Sequence, residues 1–184
     1  KAQREQIDHS IAQLRSYQVK KGDYTVEWIN LPERLCFVRS FVCKGVEEAA
    51  TAGYETMDEA IRRGLHISKA WDCFCEFPDN GYINGMLNLD EFPMNACVTL
   101  EPETAPKDSV VYSKGCAIAV HHRGAYDKID SAYLALRDYI KAYDLLPAGP
   151  AQEVYMEGKA EHKDIQDKYI TKVIQPVKNR RKRK

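Results

Sequence analysis

The sequence predicts an α+β domain built from two similar strand–helix–strand–strand units, which form an antiparallel sheet with two helices on one side. Short runs of alternating β-branched and aromatic residues, typical of strands, fall into two groups along the chain. Each group contains one segment with the apolar period of an amphipathic helix. Because both helices would cover one face, we expect the opposite face, between the two half-sheets, to offer a concave site.

The segment that precedes these units, residues 1–21, has a helical pattern of its own. The spacing between Ile7, Ile11, Leu14 and Gln18 is 4, 3 and 4 residues, as in a short coiled-coil seam. A single helix of this length is only marginally stable in water, so it needs a partner surface. Two partners fit the pattern: a second copy of the same helix, or the domain to which the helix is attached.

The first half of the domain is predicted to contain strands at residues 24–29, 34–43, 70–77 and 94–101. Leu31-Pro32 separates the first two strands, because proline lacks a backbone donor. The helix of this half is predicted near residues 57–66. It would begin at Thr56 and Glu59, which have the spacing of a capping box.

The second half is predicted to contain strands at residues 115–122, 153–157 and 168–174. Its helix is predicted near residues 127–144, where Asp127 is placed to cap the first turn. Pro176 is expected to close the last strand. The order of elements therefore repeats between the halves, although their sequences are not alike.

Charge is unevenly distributed along the chain. The formal net charge is +0, but Lys178 and residues 180–184 contribute six positive charges. The remainder therefore carries about −6 (zero minus six), which makes the body of the domain a poor duplex-DNA binder. The basic end, residues 179–184, is expected to be a disordered, solvated tail; a contact with nucleic acid is the alternative.

The 6 cysteines contain no CxxC pair. Cys73 and Cys75 form a CxC pair, which places both thiols on one face of a strand. No secretory signal or run of about 18 apolar residues is present, so a reduced, cytoplasmic setting with buried free thiols is expected. No set of metal ligands stands out, since His121 and His122 would point to opposite faces of a strand. We therefore expect neither a metal nor another cofactor.

The candidate site centres on Glu153, which lies in an apolar, tyrosine-rich stretch. Glu153 and Tyr155 share one face of their strand because side chains alternate. A carboxylate beside aromatic rings attracts a cation and helps to desolvate it; the alternative is a strand-edge glutamate paired with arginine or lysine. Further aromatic candidates for ligand contact, each of which also suits the core or a turn, are Trp71, Phe92, Tyr112, Tyr126 and Tyr169.

Three segments resemble a known family. They are the turn at Gly124-Ala-Tyr126, the strand at Glu153-Val-Tyr155 and the closing strand Ile174-Gln-Pro-Val177. Together they are similar to the GyrI-like effector-binding domain, found at the C-terminus of MerR-type and some AraC-type transcription regulators. Gln175 departs from the family's closing pattern.

The resemblance implies the domain organisation and the function. Residues 22–178 would form the effector-binding domain, and residues 1–21 would be the end of a dimerisation helix. DNA would be bound only by a region upstream of Lys1, which we expect because the chain does not begin with Met. The implied partners are a small-molecule effector and a second copy of the chain, with no membrane.

For the site, the resemblance implies that Glu153 meets lipophilic cations in a multidrug-sensing pocket. Some family members hydrolyse strained cyclopropyl compounds, so a stand-alone hydrolase or a drug-sequestering protein is the alternative. The sequence contains no triad, phosphate loop or metal-ligand set, which favours binding over catalysis. The sequence therefore predicts a sensor of small molecules and assigns no catalytic residue.

Overall fold

A computed structural model describes residues 24–70, 72–78, 91–158, 162–163 and 165–180. The helix predicted over residues 1–21, the candidate Trp71 and the tail from residue 181 onward lie outside the described residues. None of the described helices has the length and apolar content needed to cross a bilayer.

The described residues form an antiparallel, curled sheet with two α-helices, which confirms the predicted fold class. The strands are β1 Glu27–Leu31, β2 Arg34–Cys43, β3 Phe74–Phe77, β4 Phe92–Thr99, β5 Val110–Tyr112, β6 Gly115–Arg123, β7 Leu145–Pro147, β8 Ala151–Glu157 and β9 Ile170–Asn179. The helices are α1, Val46–Arg62, and α2, Asp130–Ala142. The spatial order is β1-β6-β9-β8-β3-β4-β2-β5, and β7 pairs with β9. The two halves of the sheet therefore meet where β8 pairs with β3.

Both helices pack on the same face of this sheet. Tyr133 and Leu136 of α2 pack against Val173 of β9 in one core cluster, and Ala49 of α1 packs against Cys75 of β3 in another. In the pairing register, Cys75 lies opposite Glu153, which lies opposite Val173. Paired residues share a face, so one continuous face contacts both helices. Apolar burial between helices and sheet is the main force that holds these layers together.

The predicted start of α1 is wrong. Helix α1 begins at Val46, and Thr56 lies within it, with its hydroxyl donating to the carbonyl oxygen of Ala52 at 2.7 Å. The alanines of the first turns, including the buried Ala49, extend the apolar face upstream. They were missed because alanine is a weak hydrophobic signal, although it is the best helix former.

The end of α1 also comes earlier than predicted. Gly64 has a φ of 74°, a left-handed conformation that suits glycine. The backbone nitrogens of Gly64 and Leu65 donate to the carbonyl oxygens of Ile61 and Ala60. This is the pattern of a Schellman motif, which ends a helix, and it limits the helix to Arg62.

The second half needs three corrections. Asp127 does not cap α2: residues Tyr126–Lys128 form a 3₁₀ turn, and the N-cap position of α2 is Ile129. Pro176 does not end β9, which continues to Asn179. The carbonyl oxygen of Pro176 accepts a hydrogen bond from the backbone nitrogen of Ala148 at 2.9 Å, beside β7. Strands β5 and β7 were not predicted, since three residues are too few to show alternation.

Candidate functional site

Glu153 lies in β8 at the junction of the two half-sheets, and its side chain is 0% exposed. The Tyr133 hydroxyl, on α2, donates to its Oε1 at 2.5 Å. The Tyr155 hydroxyl, two residues further along β8, donates to its Oε2 at 2.8 Å. No ion pair between described residues involves Glu153. The carboxylate is thus held by neutral phenols and has no counter-cation within the part of the chain that the structure describes.

This environment changes the acidity of Glu153. Burial raises the pKa of the Glu153 carboxyl group to about 7, although the hydrogen bonds from Tyr133 and Tyr155 act in the opposite direction. Desolvation outweighs the hydrogen bonds because a charged carboxylate loses its water shell on all sides. Both protonation states are therefore populated near neutral pH.

A cleft of about 320 Å³ opens beside the start of β3, between α1 and β8. Tyr155 and Cys75 both line it, and both adjoin Glu153: Tyr155 by its hydrogen bond and Cys75 by strand pairing. Gly53 of α1 also lines the cleft, where a Cβ atom would lie 3.4 Å from the Cys75 Sγ. Glu153 therefore lies behind the wall of an open cleft, separated from it by a few side chains.

Three tyrosines form an aromatic cluster next to this wall. The Tyr126 ring lies 5.4 Å from the Tyr155 ring and 5.0 Å from the Tyr169 ring, measured between centroids. A second cavity, of about 330 Å³, is lined by Tyr126 and Tyr169 together with Tyr54. Tyr54 also lines the cleft beside Glu153, so the two cavities adjoin.

The second cavity carries negative charge. Its remaining lining includes the α1 carboxylates Glu47, Glu55 and Asp58, all exposed. An acidic rim of this kind raises the local concentration of cations.

The structure brings together four of the sequence-predicted site residues, namely Glu153, Tyr155, Tyr126 and Tyr169. It places Phe92 elsewhere, in the core against Phe77 with ring centroids 5.7 Å apart. Tyr112 lies on the opposite face, where its hydroxyl donates to the Glu76 Oε1 at 3.2 Å.

The expected position of the site also needs correction. Glu153 faces the helices instead of the open face of the sheet, as its bond to Tyr133 shows. The residue that points to the open face is its neighbour Gln152, because side chains alternate along β8.

Sequence reasoning missed Tyr133, Cys75 and Tyr54. Tyr133 was assigned only to the apolar face of its helix. A signal was present, because a tyrosine in a core position needs a partner for its hydroxyl, and Glu153 is the carboxylate that the second half buries.

The thiols are mostly buried, as expected, but Cys73 is half-buried and Cys116 is exposed. Both members of the CxC pair line the cleft, although only Cys75 lies within β3. Burial raises the pKa of the Cys73 and Cys75 thiols, so both are neutral at physiological pH. Among the described residues, no group of three or more histidines, cysteines or carboxylates has a geometry that would hold a metal.

Comparison with known proteins finds solved structures that share this architecture. No protein-family model and no curated protein matches the sequence. Among solved structures, the chain is similar to the EcmrR C-terminal domain, with a TM-score of 0.71 and 17% identity over 86% of this chain and 100% of that one. It is similar to EcmrR in its complex with DNA, with a TM-score of 0.72 and 17% identity over 95% of this chain and 64% of that one.

Two further structures share the fold. One is SAV2435 bound to tetraphenylphosphonium, with a TM-score of 0.51 and 16% identity over 83% of this chain and 93% of that one. The other is a hydrolase encoded by lin2189 from Listeria innocua, with a TM-score of 0.51 and 11% identity over 83% and 91%. At these identities it is the fold that is shared. The chain has the GyrI-like α+β fold that its turn and strand motifs implied.

Proposed function

We propose that this chain is the small-molecule effector-binding domain of a MerR-type transcription regulator, and that it binds lipophilic cations at Glu153. The observation that carries the proposal is the buried carboxylate, held by two phenols, behind the wall of an aromatic cleft. The fold shared with EcmrR and with SAV2435 supports it.

The physical basis is charge in a medium of low polarity. An ionised Glu153 attracts a cation strongly because no water screens it. Each tyrosine face adds about 0.5–2 kcal/mol of cation–π attraction. The rings of Tyr126, Tyr155 and Tyr169 are grouped closely enough to contact one bulky aromatic ion.

Access requires one side chain to move. Tyr155 lines the cleft and is half-buried, and its hydroxyl blocks Oε2 of Glu153. In the proposed complex the Tyr155 ring turns aside and the cation takes the place of its hydroxyl, while Tyr133 continues to hold Oε1. Binding of a ligand in the cleft would therefore change how β8 packs against α1.

The test is calorimetric titration at pH 8 with tetraphenylphosphonium and with neutral triphenylphosphine oxide. Glu153→Gln keeps the shape and removes the charge, so it should weaken binding of the cation by about 1.5–3 kcal/mol and leave the neutral compound nearly unaffected. Glu157→Gln is the matched control, because Glu157 lies on the same strand and already pairs with His162. Equal cation affinities in wild type and Glu153→Gln would reject the counter-charge role.

A hydrolase is the second candidate. Glu153 has a pKa of about 7 and two hydroxyl partners, which suits a general base acting on water. The shared fold with a protein described as a hydrolase favours testing it. Turnover of a strained cyclopropyl compound that Glu153→Gln abolishes would establish this activity in place of sensing.

The assembly is also a proposal. Residues 1–21 are proposed to pair with a second chain, residues 22–178 to bind the effector, and a region outside this sequence to bind DNA in the cytoplasm. The chain spans 64% of the length of EcmrR in its DNA complex, which leaves room for such a region in a regulator of that size. Sedimentation should show a dimer for the full chain and a folded monomer after residues 1–21 are removed; a monomeric full chain would contradict the pairing.

A further inference from the structure

A larger cavity, of about 640 Å³, lies on the face of the sheet opposite the helices. Arg34 at the start of β2, Glu76 in β3 and Gln152 in β8 line it. Side chains alternate along β3 and β8, so Glu76 and Gln152 point to this face while Cys75 and Glu153 point to the helices. The two cavities have no described lining residue in common.

Arg34 is a buried cation with incomplete pairing. Its side chain is only 7% exposed. One guanidinium nitrogen, Nη2, donates to the Gln152 Oε1 at 3.2 Å, and the guanidinium carbon lies 4.2 Å from the centre of the Phe74 ring. The Nε atom, however, has no hydrogen-bond partner among the described residues. A buried charge normally requires a counter-charge and full hydrogen bonding.

The neighbouring carboxylate does not fill this role. Glu76 interacts with Arg34 electrostatically, but its Oε1 accepts hydrogen bonds from Asn95 and Tyr112, both at 3.2 Å. No ion pair between described residues includes Arg34. The Nε atom is therefore left without an acceptor among the described residues, in a guanidinium group that lines the cavity.

The charge of the cavity favours an anion. Two exposed lysines, Lys114 and Lys178, line its rim, and neither forms an ion pair within the described part of the chain. With Arg34 they supply three positive charges against one negative charge, that of Glu76. Another part of the lining is apolar, formed by Trp28 and Leu31.

We propose that this cavity is a second ligand site, which binds a small aromatic carboxylate with its carboxylate group on Arg34. The planar guanidinium, which lines the cavity and lacks a full set of partners, matches a carboxylate in shape. Leu31 and Tyr112, which pack on this face, enclose the aromatic body. Lys114 and Lys178 attract the anion to the entrance. The site is independent of Glu153, since it has the opposite charge and lies on the other face.

The test uses benzoate as the probe and benzamide, its neutral isostere, as the control compound, with binding followed by NMR titration of the full chain. The wild type should bind benzoate at millimolar concentrations or below and not benzamide. Arg34→Met should weaken benzoate binding at least about tenfold, the scale of a hydrogen bond to a charged group. Lys114→Gln and Lys178→Gln, at exposed positions, should each weaken it about two- to fivefold, the scale of an exposed ion pair.

Two controls separate this site from the other. Lys141→Gln, an exposed substitution on α2, should leave benzoate affinity unchanged, and so should Glu153→Gln. If Arg34→Met does not fold, the two rim lysines decide the result. The proposal is overturned if wild type fails to bind benzoate, or if benzoate affinity is the same in both lysine variants as in wild type.

Discussion

Each face of the sheet buries a charged side chain, but the two side chains are stabilised in different ways. On the helix-covered face, Glu153 is fully enclosed and held by two phenols. On the opposite face, Arg34 is nearly as buried, but it borders a cavity and stacks on an aromatic ring. In β8, Gln152 points to the open face and the adjacent Glu153 points to the helices. A single strand thus separates a negative site from a positive one by the alternation of its side chains.

The difference follows from proton chemistry. A carboxyl group can take up a proton when desolvation makes its charge unfavourable, and the pKa of Glu153 is raised to about 7 for this reason. A guanidinium cannot lose its proton at physiological pH. A helix can therefore seal Glu153, whereas Arg34 has to remain beside open space and the electron-rich face of Phe74.

The largest expected effect is on stability as a function of pH. The folded-state pKa of Glu153 is raised from 4.5 to about 7, so its contribution is fully present below pH 4.5 and is lost as the pH rises through 7. The loss amounts to roughly 3 kcal/mol by pH 8, at about 1.4 kcal/mol per pKa unit. Glu153→Gln removes this loss, because its amide has no charge to desolvate.

Urea unfolding of both proteins at pH 5 and pH 8 measures this difference. The variant should be more stable than wild type at pH 8, and the two should converge at acid pH. Glu157→Gln serves as the control for a general effect of removing a carboxylate. Parallel pH profiles for wild type and Glu153→Gln would show that Glu153 is not the desolvated group.

Ligand affinity gives the second comparison between the faces. Below pH 7 a cation must displace the proton of Glu153, so tetraphenylphosphonium affinity should rise about tenfold per pH unit up to about pH 7 and then level off. Benzoate on the opposite face should show little change between about pH 6 and 8, because both the benzoate and Arg34 stay ionised. Calorimetry in buffers of different ionisation enthalpy should also detect proton release with the cation and none with benzoate.

Much of the fold was predictable, because it depends on local patterns. The alternation of β2 and β6 and the helical period of α2 identified the main layers. The start of α1 was not predictable in this way, since Ala49 and its neighbours give little hydrophobic contrast. The short strands β5 and β7 form only because longer strands lie beside them.

The site was predictable only in part, because local sequence patterns do not determine contacts between distant segments. The grouping of Glu153, Tyr155 and Tyr126 was predictable from nearby sequence, whereas their role in binding stays a prediction. Tyr133, however, meets Glu153 through the docking of α2 on the sheet, and Arg34 meets Gln152 across 118 residues of sequence. Such contacts depend on which strands become neighbours, which periodicity does not determine.

The third prediction concerns the two phenols. Tyr133→Phe and Tyr155→Phe each remove one hydrogen bond to Glu153, which should lower the free energy of unfolding at pH 8 by about 1–3 kcal/mol. Tyr133 should have the larger effect because it is 0% exposed, so water cannot replace its hydroxyl. Tyr155 is half-buried beside the cleft, and water there can restore part of the lost bond. Chemical denaturation measures both values, and equal losses would contradict the asymmetric access to Glu153.

The smallest expected effect is that of Tyr112→Phe on cation affinity. The sequence made Tyr112 a candidate for the same pocket as Tyr155, but its hydroxyl bonds Glu76 and the Cys97 thiol, at 3.2 Å each, on the opposite face. It contacts two uncharged lining residues of the cleft beside Glu153, namely the Cys97 thiol and the Phe74 ring, whose centroid lies 5.1 Å from that of Tyr112. Because the substitution keeps the ring against Phe74 and changes no charge, tetraphenylphosphonium affinity should change by less than about 0.5 kcal/mol, the usual limit of coupling between sites that do not interact directly. Benzoate affinity should fall much less than in Arg34→Met, since phenylalanine keeps the ring that encloses the proposed anion. Calorimetry with both probes on this one variant measures how far each binding site depends on Tyr112. A loss of cation affinity as large as that in Glu153→Gln would mean that the sheet does not separate the two sites.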